Sequence, residues 1–583
     1  MLQTLKQYWN YDNFRPLQAE IIQSILDGRD TLALMPTGGG KSLCFQVPTM
    51  VMNGLCLVIT PLIALMKDQV ENLKKRDIRA AAIYTGMTYE QQKTALDNCM
   101  WGPYHFLYVS PERLESEEFR ERLSRLPICL IAVDEAHCIS QWGYDFRPSY
   151  LKIAEIRDLV ARRACSLEDA PKALQDGSKA AYSLGAKTVP ILALTATATP
   201  AVVDDIQERL AFREKNVLRK SFARENISYV VRQTNKKADE IVHILNRVPG
   251  SAIVYVRNRQ RTQEIAAYLN ENGISADFYH AGLTFKERSA KQEAWKSNLT
   301  RVIVVTNAFG MGIDKADVRV VIHHDLPDTI EAYFQEAGRA GRDEQKAFAV
   351  LLYEPSTDKA KARKRVADNF PEEEFLHTVY HKTCNYLGIG ADSGQGATFF
   401  LDIFDLCGKM HMPVLPTYSA LHLLDQMGYF NFEEEQEIHP RVRIRITHRE
   451  LEDFRLSEEQ IALLEQLMRE YTGIFTDLQY IHNLENKHQE LAALAERRII
   501  DYVPRTKANV LRLSVNRQAE IRIPENFYLQ RKGHYADKLK AMVEYADNQL
   551  YCRSQILLSY FGEHNAPVCG TCDVCRAKAK NAD

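Results

Sequence analysis

The chain has 583 residues, beyond the size at which one hydrophobic core keeps growing, so about three to five domains are expected. Hydrophobic residues make up 45% and charged residues 26%, an ordinary globular balance, and the formal net charge of −2 excludes a uniformly basic coat. Local cationic patches remain open, and with them nucleic acid as a partner. The opening "MLQTLKQYWNYDNFRPLQ" lacks the apolar run and small-residue cleavage site of a signal peptide. The longest apolar stretch, "GLCLVITPLIALM", contains proline and is too short to span a bilayer. A cytoplasmic protein without a membrane partner is the expectation. Twelve cysteines at this length are no disulfide scaffold, but three crowd into "CGTCDVC" near the C-terminus.

Short apolar runs ending in polar or glycine-rich turns fill the first 350 residues. The first set is "TLALMP" (31–36), "LCLVITP" (55–61), "FLYVSP" (106–111), "LIAVDEAH" (130–137) and "ILALTAT" (191–197). The second is "SAIVYV" (251–256), "ADFYHAG" (276–282), "RVIVVT" (301–306), "VRVVIHHD" (318–325) and "KAFAVLLY" (346–353). Helical patterns separate most of them, which predicts parallel strands covered by helices: two α/β domains in tandem, joined near 211–225. The stretch 165–187, rich in Ala, Ser, Gly and charge, reads as an excursion between strands.

"MPTGGGKS" (Met35–Ser42) follows the first of these strands. Thr37, Gly38 and Gly40 belong to a loop whose N–H groups can turn inward around phosphate oxygens, as glycine permits. Lys41 would reach the β/γ-phosphates and Ser42 would hold Mg²⁺. A glycine-rich turn with a solvent-facing lysine is the alternative. In "VDEAH", Asp134 suits the Mg²⁺ ion and Glu135 the attacking water, with helix-capping carboxylates as the plainer reading. In "QEAGRAGRD" (335–343), Arg339 and Arg342 can neutralise charge developing on a γ-phosphate, or simply form surface ion pairs. Because they lie in the second domain, the first role requires a nucleotide cleft between the domains. A cleft that opens and shuts with hydrolysis describes a motor.

"VSPERL" (109–114), "LTATAT" (194–199, with Thr195 and Thr197) and "VTNAFGMGID" (305–314) are loops at strand ends, suited to phosphodiester oxygens. "ISQWGYDFRPSY" (139–150) packs Trp142, Tyr144, Phe146 and Arg147 behind Gln141, immediately after the Mg²⁺ carboxylates. Aromatic groups at that density can stack on bases, at about 1–3 kcal/mol each, or fill a core.

The series "NYDNFRPLQ" (10–18), "MPTGGGKS", "TPLIALMKDQV" (60–70), "AVDEAHCISQWGYDFRPSY", "LTATAT", "NAFGMGIDK" and "YFQEAGRAGRD" resembles the RecQ family of superfamily 2 DNA helicases, in collinear order over about 1–350. The resemblance implies tandem RecA-like parallel-sheet motor domains, here 1–213 and 214–353. It implies ATP- and Mg²⁺-driven 3′ to 5′ movement on single-stranded DNA and the unwinding of forked duplexes, in repair, recombination or replication. Single-strand-binding or recombination proteins are the implied partners, and the nucleoid the implied location in a bacterium. Carried onto this chain, Tyr11 would stack on adenine, Arg15 and Gln18 would recognise the base, and Gln141 to Arg147 would sense the single strand. Leu17 stands where the family usually has glycine, and Tyr144 where histidine is common.

After Tyr353 the pattern turns to helices with short strands. "FPEEEFLHTVYHKTCNYLGI" (370–389) reads as an amphipathic helix, "FFLDIFDLCGKM" and "TYSALHLLDQMGYFNF" as two more, and "RVRIRITHRE" as a strand with Val442, Ile444 and Ile446 inward and Arg441, Arg443 and Arg445 outward. A similar pass follows. Winged-helix-like units are expected over 354–450 and 451–520, contacting duplex DNA or docking protein. From Arg505 to Lys540 nine Lys/Arg face three Asp/Glu, either a phosphate-binding face or a solvated one.

Cys569, Cys572 and Cys575 have thiolate-ligand spacing, and Cys552 is the nearest candidate for the fourth ligand. Four thiolates favour zinc, with iron–sulfur as the rival. "YFGE" and "CGTCDVC" match the zinc module of the resembled family, which points to Zn²⁺ held over 521–583 in a structural role. That module usually follows the motor directly. Here the winged-helix-like units come first, so either they take over duplex contact or the natural chain extends further. An RNA helicase, and a DNA-binding protein using ATP only as a switch, are the competing readings.

Overall fold

The computed structural model describes residues 1–582, apart from 37, 85–86, 141–146, 165–188, 308, 310–314, 439–440, 447–453, 455, 471–478, 481–486 and 504–505. The chain forms two compact units, Met1–Ala360 with Ala536–Asp583, and Lys361–Tyr535. Among the described residues no helix is long and apolar enough to cross a membrane.

The first unit contains two parallel sheets. One comprises β1 (Thr31–Leu34), β2 (Leu55–Ile59), β3 (Ala80–Ile83), β4 (Phe106–Val109), β5 (Ile128–Val133), β6 (Ile191–Thr195) and β7 (Val217–Arg219), in the order β3-β4-β2-β5-β6-β1-β7. The other comprises β8 (Ile227–Gln233), β9 (Ser251–Tyr255), β10 (Ala276–Tyr279), β11 (Val302–Val305), β12 (Val318–His323) and β13 (Ala347–Tyr353), in the order β10-β11-β9-β12-β13-β8. Helices lie on both faces, so central strands such as "LCLVI" and "ICLIAV" are buried at every position and read as unbroken apolar runs rather than alternating ones. The predicted strands are all present. β3, β7 and β8 are additions, and β7 pairs with β1, so the first domain runs past the expected boundary at 213.

A buried carboxylate pins the end of the first sheet. Asp30, just before β1, accepts hydrogen bonds from Arg157 Nη1 (2.9 Å), Arg213 Nε (3.0 Å) and the backbone N–H groups of Ile191 and Arg213 (both 3.0 Å). These donors hold its carboxyl below the usual range against the opposing effect of burial.

The segment Ala536–Asp583 packs on the second sheet's helices. Tyr545 meets Tyr333 with ring centroids 5.2 Å apart, and Phe561 meets Phe334 at 5.0 Å. Arg553, 2% exposed, pairs with Asp573 at 3.0 Å, and Asp573 also accepts the Val231 N–H.

The second unit has a sheet of β14 (Thr398–Leu401), β15 (Phe430–Ile438) and β19 (Thr506–Leu513), ordered β14-β19-β15, and a smaller one of β16 (Arg441–Ile444), β17 (Gln479–Tyr480) and β18 (Ile500–Val503), ordered β17-β16-β18. The helices Glu373–Tyr386, Ile403–Met410 and Val414–Gln426 share the first sheet's core with Leu401, Phe430, Leu511 and Leu513. Helix, strand, two helices and two strands is winged-helix order, but its last strand follows an insertion. The expected divisions at 354–450 and 451–520 therefore cut through a sheet: β19, assigned to the second unit by sequence proximity, closes the first. The smaller sheet and the helices Glu458–Glu470 and His488–Glu496 form a separate core inserted between β15 and β19. As predicted, Val442, Ile444 and Ile446 are buried; Arg443 and Arg445 both pair with Asp501. "FFLDIFDLCGKM" is not one helix, since Phe399–Leu401 pair with β19 before the helix starts at Ile403.

Antiparallel pairing runs without a change of register from Gln436↔Ala508 to Ile438↔Thr506, then from Arg441↔Val503 to Ile444↔Ile500. The described pairs of the first core's last two strands and of the inserted core's central strands thus share one alignment.

Candidate functional site

The strand order β5-β6-β1 places the "DEAH", "LTATAT" and "TGGGKS" loops side by side at the C-terminal ends of neighbouring strands. In such sheets the carboxyl ends of the strands open onto the ligand crevice. Gly38 (φ 79°) and Gly40 (φ 76°) adopt the left-handed backbone that glycine tolerates. A Cβ on Gly40 would come within 2.4 Å of Gln18 Nε2. Gln18, 1% exposed, donates to the Gly40 carbonyl at 3.0 Å, and its Oε1 accepts the Arg15 N–H at 2.9 Å. Arg15 Nη1 donates to the Gly38 carbonyl at 2.7 Å. The two residues expected at the base brace the glycine loop. Tyr11, 52% exposed, lines the same cavity.

That cavity, about 640 Å³, is bounded by both sheets' domains: Lys41, Ser42, Asp134 and Glu135 from the first, Arg339 and Arg342 from the second. Asp134 accepts from Thr60 Oγ1 at 3.4 Å and from the Glu135 N–H at 3.0 Å, and Tyr150 donates its hydroxyl to the Asp134 carbonyl at 3.0 Å. Burial, then the adjacent Glu135 charge, push the Asp134 carboxyl up to about 6, with the Lys41 ammonium pulling the other way. Glu135 holds a left-handed backbone (φ 48°), a strained state for a side-chain-bearing residue and one that concentrates at functional turns. Arg339 is only 5% exposed.

His137 Nδ1 lies 3.4 Å from Glu135 Oε2 and 3.0 Å from Thr195 Oγ1, and Thr195 donates to the Thr197 carbonyl at 3.2 Å. Thr195 and Thr197 are 0% and 2% exposed. The Thr195 hydroxyl ties the "DEAH" turn to the loop after β6, while Thr197 Oγ1 is buried without a hydrogen-bond partner, so neither hydroxyl is exposed at the strand end expected to meet a nucleic-acid strand. Arg147, half-buried, lies 3.6 Å from Glu112 of the "VSPERL" loop. Thr37, Gln141, Trp142, Tyr144 and Phe146 lie outside the described residues, as does the excursion at 165–187.

The sulfurs of Cys552, Cys569, Cys572 and Cys575 all lie within 4.8 Å of one another, the one such multi-ligand cluster among the described residues. Backbone N–H groups of Cys569, Cys572 and Cys575 point at the sulfurs of Cys552, Cys569 and Cys572, at 3.3–3.4 Å. Four sulfurs at ion-sharing distance, with amide donors that stabilise thiolates, fit a tetrahedral zinc ion, whose Zn–S bonds are about 2.3 Å. Sulfurs this close leave no room for a multi-iron cluster.

Three family models match along the chain: DEAD/DEAH box helicase over residues 15–206, helicase conserved C-terminal domain over 236–344, and RecQ zinc-binding over 517–576. The ATP-dependent DNA helicase RecQ of Haemophilus influenzae is 41% identical over 356 residues, 61% of this chain and 53% of that protein. The probable ATP-dependent DNA helicase RecS of Bacillus subtilis is 40% identical over 60% of this chain and 66% of its own length. The chain belongs to the RecQ family. It spans between about half and two thirds of the length of these curated RecQ relatives.

Against the RecQ pattern, Leu17 acquires a physical meaning. It caps the helix Gln18–Leu26 at φ 76°, a backbone state in which the family's usual glycine is unstrained. Sequence reasoning missed Thr60, His137 and Tyr150 as supports of the acidic pair. His137 sits in the quoted "DEAH"; Thr60 comes near Asp134 because β2 pairs with β5, and Tyr150 because the turn Pro148–Lys152 folds back onto the "DEAH" turn.

Proposed function

We propose that this RecQ chain is an ATP-dependent DNA helicase that moves 3′ to 5′ along single-stranded DNA and unwinds forked duplexes, in repair or recombination. The single observation that carries this reading is the shared cavity: Lys41 of one sheet's domain and Arg339 and Arg342 of the other's line one space. Bound ATP would lie with its phosphates in the glycine loop, its charge met by Lys41. Glu135 orients and deprotonates the attacking water, and the two guanidiniums stabilise charge developing on the transferred phosphoryl group. Ser42 and Asp134 would hold Mg²⁺, which neutralises phosphate charge when bound. Because the donors stand on separate sheets, hydrolysis is fast only when the cleft is closed, and each cycle of closure and release moves the domains relative to one another. The buried His137–Thr195–Thr197 contacts offer a route from Glu135 to the neighbouring strand-end loop. The polarity and the choice of DNA rest on the family likeness.

A strand-displacement assay with a 3′-tailed duplex tests the proposal. ATP-dependent release of the tailed strand is expected. ATP turnover with no displacement reduces the protein to an ATP-switched DNA binder, and stimulation by single-stranded RNA above matched DNA makes it an RNA helicase.

A further inference from the structure

The chain crosses from the first sheet to the second in seven residues, between Arg219 at the end of β7 and Ile227 at the start of β8. Among the described residues this crossing is the only backbone bridge between strands of the two sheets, and both of its halves are held. On the first half, Glu563 of the four-cysteine module accepts from Ser221 Oγ and from the Phe222 N–H, each at 2.7 Å. Phe222, fully buried, stands between Phe561 of that module (5.3 Å) and Phe334 of the helix Ile330–Ala337 (6.2 Å). Arg219 donates to the Phe561 carbonyl at 3.4 Å. Gly562 is left-handed (φ 87°), and a Cβ there would press on Pro200 Cγ of the first domain at 3.0 Å.

On the second half, Arg224 donates to the carbonyls of Gly338 (3.2 Å), Ala340 (3.1 Å) and Gly341 (2.9 Å). Asn226 Nδ2 donates to Gly341 (2.7 Å) and Gln345 (2.9 Å). These carbonyls belong to the turn that carries Arg339 and Arg342. One continuous path of contacts therefore leads from the four-cysteine module through the crossing segment to the two arginines at the nucleotide cavity.

We propose that the four-cysteine module is a clasp on the interdomain crossing, with Glu563 and Arg224 as positioning residues that set Arg339 and Arg342 against the nucleotide. Neither residue lines the nucleotide cavity. A carboxylate that fixes a backbone N–H and a hydroxyl at the hinge determines where the second domain swings from. A guanidinium fork on three carbonyls fixes the arginine turn to that hinge. The role rests on the proposed hydrolysis, which the experiment checks separately.

The test is steady-state ATP hydrolysis with saturating single-stranded DNA, with zinc content and thermal unfolding measured on each variant. Glu563→Ala is expected to lower kcat about tenfold or more, since small misplacements of catalytic groups cost about that or beyond, while KM for ATP stays within about threefold and zinc remains bound. Glu563→Gln keeps an acceptor for the Phe222 N–H and an amide for Ser221, and is expected to restore most of the rate. Arg224→Lys, which keeps the charge but loses the fork, is expected to show the same kcat loss. Should Glu563→Ala lose its metal, Glu563→Asp carries the comparison, because its shorter arm cannot reach both partners. A metal-bound Glu563→Ala or Glu563→Asp protein with kcat within about twofold of the parent overturns the clasp, as does a loss in Glu563→Gln equal to that in Glu563→Ala. A parent protein that does not hydrolyse ATP overturns the underlying functional reading instead.

Discussion

The side chain of Arg342 lies directly over Gly38: a methyl group built on that glycine would meet Arg342 Cγ at 3.5 Å and Cδ at 3.6 Å. An arginine carried by the second domain thus already stands at the glycine loop of the first. Removing it should cost transition-state stabilisation rather than ground-state binding. Arg342→Ala is expected to lower kcat by about a hundredfold or more with KM for ATP changed by less than about threefold. Lys41→Ala should abolish DNA-stimulated turnover while leaving single-strand binding in place, as read by fluorescence anisotropy.

Asp134 sets a pH dependence. Its carboxyl is pushed up to about 6, above the unfolded value near 4, so the folded protein holds this proton more tightly than the unfolded chain. For this group alone, ionisation costs stability progressively as pH rises from about 4 to about 6, and the cost is constant above that. A divalent cation must displace the same proton. Apparent Mg²⁺ affinity in the presence of nucleotide should therefore weaken about tenfold per pH unit below about 6 and level off above 7. Calorimetry in buffers of different ionisation enthalpy should detect proton release near pH 6 and little at pH 8.

Leu17 reports on backbone strain. Leu17→Gly is expected to change stability by less than about 1 kcal/mol, because relief of the left-handed backbone offsets lost packing and glycine's entropy. Leu17→Val, branched at the carbon that clashes, should destabilise by about 1–2 kcal/mol. Chemical denaturation of the three proteins distinguishes these outcomes.

Asp30→Ala leaves Arg157, itself largely buried, without its carboxylate partner. Breaking one side of a buried pair costs about 3–5 kcal/mol, and a fall in the thermal midpoint of the first domain should show it.

Cys572 is fully buried within the sulfur cluster. Cys572→Ser should abolish stoichiometric zinc binding and reduce the yield of folded protein more than it reduces specific activity of the folded fraction. Metal analysis of the soluble fraction measures both.

Much of this was legible from sequence because the strands of a doubly covered sheet are uninterrupted apolar runs and the chemistry sits at their ends. β3 escaped because "AAAI" is short and alanine-rich, and β8 because its apolar run lies just past the expected join near 211–225. The four cysteines were readable from local spacing together with the family pattern. The burial of Thr195 and Thr197 was not legible, because a hydroxyl at a strand end has the same residue type whether it faces solvent or, as Thr195 does, a neighbouring histidine. The second unit was the hardest. β19 pairs with strands more than sixty residues upstream, and no local pattern marks which of two similar cores a late strand will join.

The common register of the described pairs ties the two cores of the second unit to one strand alignment. Deleting a single residue between Ile438 and Arg441, or between Val503 and Thr506, would slide one strand against its mate and turn an entire set of inward side chains toward water in one core or the other. Insertions and deletions common in surface connections elsewhere should consequently be purged at these two junctions. Length, more than residue identity, is what natural variants of this chain must keep there.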